Sequence, residues 1–231
     1  MSLRVAVPLP PVAAGMVLTG AILANLGATA PARADTPPAA IDWLIAAASD
    51  PGRTTIRLGE YRLDGSGVVA FDPLTGFATP PAPDLPATEA QVYIVMAHQD
   101  GFDDPAAIVL ALSDAAPVCG ASLGSFGVDT GLAALTNLTD AKMLDAYGRV
   151  LASTGSDTYT ALEMQLPLED PARFVTLPGG TRFPVSRSGY GDGGYEFFRL
   201  NDAQARPVAL YVDFIGDRKG EWIDPPPCAN V

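Results

Sequence analysis

The sequence predicts a β-dominated α+β domain of packed or curled antiparallel sheets, with one main helix at about 137–151 and a short N-terminal helix at about 39–49. Three observations carry this. The 22 prolines and 23 glycines interrupt the chain too often for long helices. Short runs rich in β-branched and aromatic residues recur between turn signals, and only two segments follow helical spacing. Hydrophobic residues make up 48% of the chain, enough for a sizeable core and too many for a disordered protein.

The first 34 residues read as a cleavable signal peptide. Arg4 supplies the positive start, Val12 to Leu26 form an uncharged apolar run, and Ala32-Arg33-Ala34 has the small-x-small pattern that a signal peptidase cuts, here after Ala34. An uncleaved anchor is the alternative, since residues 5 to 32 carry no charge and have the length to span a bilayer. Pro8, Pro10 and Pro11 favour cleavage. The mature chain is then expected to be extracytoplasmic, in a periplasm or in the medium, with no further membrane span.

Residues 35–53 form an extension in which Ile41, Trp43, Leu44 and Ile45 lie on or near one helical face before Asp50-Pro51-Gly52 ends the run. A β-rich core is expected over 54–215. Strands at 54–58 and 60–63 lead through Asp64-Gly65-Ser66-Gly67 to a return strand at Val68–Phe71, which reads as a hairpin. The proline-rich segment 78–90 is an extended connector. Val92–Ala97 and Ala107–Leu112 form a second hairpin, and the three aspartates between them, Asp100, Asp103 and Asp104, match no calcium loop and read as turn chemistry. In the main helix Thr139 is the expected cap, and Leu138, Met143, Leu144, Tyr147, Val150 and Leu151 make a core-facing stripe. Residues 152–171 read as irregular. Strands follow at Arg173–Leu177, Arg182–Val185, Tyr195–Leu200 and Val208–Phe214.

Formal charge is −12, and removing the leader with its two arginines leaves 12 basic against 26 acidic residues. Such a surface repels phosphate backbones and anionic headgroups, which argues against nucleic acid and against membrane binding once the leader is gone. A small molecule or a protein is the expected partner. No metal site and no cofactor motif is read.

The two cysteines, Cys119 and Cys228, are expected to pair in an oxidising compartment and to tether the tail 216–231 to the body. A Cys119 nucleophile with His98 as its base is the reactive alternative, but no third orienting group is identifiable.

Four residues mark a candidate ligand-facing surface: Asp129, Asp192, Tyr195 and Asp213. Asp192 sits in the glycine-rich turn Ser188–Tyr195. If the last two strands pair with Tyr195 opposite Asp213, then Phe197 faces Tyr211 and all four share one face. An aspartate in a strand as apolar as that around Asp213 needs a partner, for which Tyr195, Arg199 or a ligand could serve. Asp129 begins Asp-Thr-Gly, the core of the aspartic-protease loop, but Gly127 and Leu132 break the flanking pattern and no second Asp-Ser/Thr-Gly exists. The leading functional reading is a non-catalytic binding or interaction module. The alternative is a hydrolase that uses two of Asp129, Asp192 and Asp213 as acid and base.

Asp72-Pro73-Leu74, the proline-rich lead into a strand, Phe-Gly-Val-Asp-Thr-Gly at 126–131, Ser-Gly-Tyr-Gly-Asp-Gly-Gly-Tyr at 188–195 and Val-Ala-Leu-Tyr-Val-Asp-Phe at 208–214 together resemble the domain-of-unknown-function family 4241 over most of residues 54–215. The chain differs in carrying Tyr190 where that family often has Trp, and in its leader, its 39–49 helix and its cysteine tail. The resemblance implies a shared fold and supplies no catalytic residues.

Overall fold

Among the described residues, ten strands and three α-helices are ordered as α1(Ala39–Ala48), β1(Thr54–Leu63), β2(Val68–Phe71), β3(Thr88–Gln99), β4(Phe102–Ala111), β5(Cys119–Val128), β6(Leu132–Asn137), α2(Leu138–Ser153), α3(Thr158–Leu162), β7(Ala172–Thr176), β8(Arg182–Arg187), β9(Gly193–Asn201) and β10(Pro207–Asp213). The computed structural model describes residues 36–48, 52–76, 79–83, 85–99, 101–216 and 221–228. The expected leader and its cleavage point after Ala34 lie outside the described residues. The expected class, β-dominated α+β with antiparallel sheets, is the observed one.

One sheet has six strands in the order β1-β3-β4-β10-β9-β5, the other four in the order β2-β6-β8-β7. Edge strand β5 adjoins edge strand β2, and edge strand β1 adjoins β7, so the two sheets enclose one core. Helix α1 packs on β3 and β4 of the larger sheet through Ile41 and Leu44. Helix α2 covers β2 and β6 of the smaller sheet. With a helix on one side and the partner sheet on the other, β2 and β6 are buried along their whole length; β2 is an unbroken apolar run, whereas β6, which the sequence did not mark as a strand, ends in the buried polar pair Thr136 and Asn137.

Four expectations need correction. Residues 54–63 are one strand with a bulge at Gly59, and β2 does not return along β1. The 64–67 turn instead carries the chain to the other sheet: Asp64 N donates to Asn137 Oδ1 and Leu138 N donates to Gly67 O, and β2 pairs with β6. In α2 only Leu144 is buried, while Met143 and Val150 are 48% and 60% exposed, so its apolar stripe is only partly core. Its N-terminus rests on Asn137 rather than Thr139, with Asn137 Nδ2 donating to Asp140 Oδ2 at 2.8 Å. Residues 152–171, expected to be irregular, contain α3, capped by the Asp157 carboxylate that accepts from Thr160 N at 2.7 Å.

The tail is tied down at several points. Cys119 and Cys228 are bonded, with sulfurs 2.07 Å apart, which removes the reading of Cys119 as a free nucleophile. His98 instead pairs with exposed Asp103 across the hairpin turn, Nδ1 to Oδ1 at 2.8 Å. Gly120 N donates to Pro226 O at 2.9 Å, and Pro225 lies so close that a β-carbon on Gly120 would sit 2.7 Å from its ring. Only glycine fits that approach.

Candidate functional site

The last two strands start in the expected register, Pro207 opposite Asn201, but a bulge after Pro207 adds a residue to β10 and shifts every later pair by one. Asp213 therefore lies opposite Glu196, and Tyr211 stacks on Phe198 with ring centroids 4.9 Å apart. Side chains alternate along a strand, so Tyr195 falls on the other face from Asp213. Their expected grouping on one face is corrected.

Asp213 is 1% exposed, and its hydrogen-bond partners are backbone groups rather than Tyr195 or Arg199. Oδ1 accepts from Gly216 N at 2.8 Å and Ile215 N at 3.2 Å, and Oδ2 accepts from Ile223 N at 2.8 Å. The carboxylate thus holds the turn after β10 and the tail together, beside Arg53, which donates to Gly216 O. Burial pushes its pKa above the ordinary value of 3.8, against the three N–H donors and the Arg53 charge that favour ionisation.

Tyr195 is also buried, packed edge-on against Phe214 and Trp222 at 5.3 and 6.1 Å. Its hydroxyl donates to Gly191 O at 2.7 Å, and Ser188 Oγ donates to the same oxygen at 2.7 Å. The glycine-rich turn is therefore capped by Ser188 and Tyr195, while Asp192 is exposed. Burial raises the Tyr195 pKa, and the nearby Asp192 charge adds to that. Gly189, at φ +61°, would put a β-carbon 2.5 Å from Pro105 O, so this turn requires glycine there.

The Asp-Thr-Gly loop meets the same turn, since Ser188 N donates to Gly131 O at 3.0 Å. Asp129 itself is exposed, and its contribution is its backbone N–H. That N–H and the N–H of Thr130 donate to Asp72 Oδ2 at 2.9 and 3.1 Å, and Thr130 Oγ1 donates to Asp72 Oδ1 at 2.9 Å. Asp72 Oδ1 also accepts from Leu74 N and Thr75 N at 2.9 and 3.3 Å. Fully buried, Asp72 is the organising group that joins the 73–76 turn to the 129–131 loop. Sequence reasoning missed that role. An aspartate directly after an apolar strand and before Pro-Leu-Thr was the available signal.

The 73–76 turn forms one wall of a 560 Å³ cleft whose other walls are α2 and the start of α3. Leu74, Ala141 and Leu144 line it with apolar surface, and Lys142, Asp145, Arg149 and Asp157 bring charges of both signs. Asp145 and Arg149 pair across one helical turn. The volume lies within the range of small-molecule sites.

The fold and this cluster define a class: an α+β protein of two antiparallel sheets joined at both edges, with buried carboxylates saturated by backbone donors. No family model matches the chain, and neither a curated protein nor a solved structure matches it.

Proposed function

We propose that the chain is an exported, non-catalytic binding module whose ligand occupies the cleft between α2, α3 and the 73–76 turn. The cleft itself carries the reading: it is concave, apolar on its inner surface and charged at its rim, and one wall is held by the five hydrogen-bond donors converging on Asp72. Support for binding over the paired-aspartate hydrolase comes from the carboxylates. A general acid and base need two carboxyl groups in reach of one another with unspent lone pairs. Asp213 is committed to three backbone N–H groups, and Asp129 and Asp192 are exposed.

Export rests on the sequence of residues 1–34, and the Cys119–Cys228 bond fits an oxidising compartment. Among the described residues no helix is long and apolar enough to cross a membrane. Membership of the domain-of-unknown-function family 4241 belongs to the same proposal and rests on the motifs at 72–74, 126–131, 188–195 and 208–214.

Native mass spectrometry of protein recovered from its own compartment tests the reading. A bound small molecule that Ala141→Trp displaces is expected. Turnover of an ester or peptide panel that Asp192→Asn abolishes, at unchanged melting temperature, would contradict it.

A further inference from the structure

A second concave surface, separate from the apolar cleft, lies between the end of β1, the start of α2 and the β7–β8 hairpin. It encloses 520 Å³. Its base is a closed hydrogen-bond network. Tyr61, buried and directed away from solvent, donates its hydroxyl to Asp140 and accepts from Asn137 N at 2.8 Å, with Thr136 Oγ1 at 2.5 Å. Asn137 Nδ2 ties Asp140 Oδ2 and Arg62 O together at 2.8 and 3.0 Å. Burial, reinforced by Asp140, drives the Tyr61 pKa upward, so the base is a neutral phenol held in one geometry.

The rim differs. Arg182 lies over the Phe174 ring, its guanidinium carbon 3.6 Å from the centroid, a cation–π contact that holds the cation at the rim. Arg62 stands opposite Glu89 in the β1–β3 register. Among the described residues, none of Arg62, Glu89 and Arg182 has an ion-pair partner within 4.0 Å. Glu60, by contrast, is engaged by Arg57 at 3.4 Å and by Gln91 at 3.1 Å. The cavity therefore presents two unpaired guanidinium groups and an unpaired carboxylate against a preorganised base. A simple anion meets the repulsion of Glu60, Asp64, Glu89 and Asp140, and a simple cation meets that of the two arginines. One molecule carrying both charges satisfies both sets.

We propose that this cavity is a binding site for a zwitterion of the amino-acid type, a free α-amino acid or a dipeptide with free termini. Its carboxylate pairs with the guanidinium of Arg182 and its ammonium with Glu89.

Amide chemical-shift titration of the full chain tests this, with L-alanine and glycylglycine as probes and acetate, methylammonium and N-acetylglycinamide as single-charge and uncharged controls. Expected are saturable shifts confined to residues 60–64, 89 and 180–182 for at least one zwitterion, with each control at least about tenfold weaker. Arg182→Gln and Glu89→Gln should each weaken the zwitterion by about tenfold or more while the melting temperature moves by no more than about 2 °C. If Arg182→Gln lowers the melting temperature further, Glu89→Gln alone decides, since it alters one exposed side chain. Absence of a saturable shift from both zwitterions, equal binding of N-acetylglycinamide, or undiminished affinity in Glu89→Gln overturns the proposal.

Discussion

At the scale of single residues, the same chemical group is put to different uses according to burial. Asp72 is fully buried with two N–H donors from each side of a loop junction, so removing its carboxylate strands four backbone donors at once. Asp72→Ala is expected to cost about 3 kcal/mol or more in urea unfolding, whereas Asp129→Ala, which keeps its N–H, should cost under about 0.5 kcal/mol. Asp213 makes a different prediction. Because burial raises its folded-state pKa above 3.8, the folded chain holds that proton more tightly than the unfolded chain does. Its protonation then stabilises the fold fully below pH 3.8, and this contribution is lost as pH rises through the folded value. Asp213→Asn cannot titrate. The stability difference between wild type and this variant should shift against wild type on going from below pH 3.8 to neutral, measured by denaturant unfolding across that range. A difference independent of pH would contradict the raised pKa.

At the scale of elements, strands with alternating or continuous apolar runs were legible in the sequence, and so was α2. What escaped was decided by contacts distant in the chain. β5 was missed because Gly120, Gly124 and Gly127 hide its period, and it forms through pairing with β9, from Val128 opposite Gly193 to Cys119 opposite Asn201, far along the chain. The 60–71 hairpin was expected because turn chemistry is local, yet β2 is apolar on both sides and finds cover only between α2 and the larger sheet. The tail is the element most dependent on one covalent bond. Cys119 and Cys228 are 109 residues apart, so their link should contribute about 4 to 5 kcal/mol by the loop-entropy model. Cys228→Ser should lower the unfolding midpoint without reductant, and thiol counting should find no free sulfhydryl in the native wild-type chain. Finding two would contradict the tether.

At the scale of the whole molecule, the aspartates singled out from the sequence fall into one connected region but not into one site. The Asp129 loop and the Asp192 turn are joined by Ser188 N and Gly131 O, while Asp213 serves the tail on the far side of a bulge that no local pattern announces. The cleft beside α2 was not legible, since its walls come from residues 71–76, 138–152 and 156–158, and the feature that reveals it is the apolar surface α2 leaves uncovered. Titration with an environment-sensitive amphipathic dye, anilinonaphthalene sulfonate, tests binding at that cleft on wild type and on Ala141→Trp, which adds an indole to the lining that Ala141 shares with Leu74 and Leu144. Saturable one-to-one enhancement in wild type, lost in the variant at an unchanged melting temperature, is the predicted result. Equal enhancement in both proteins would contradict it.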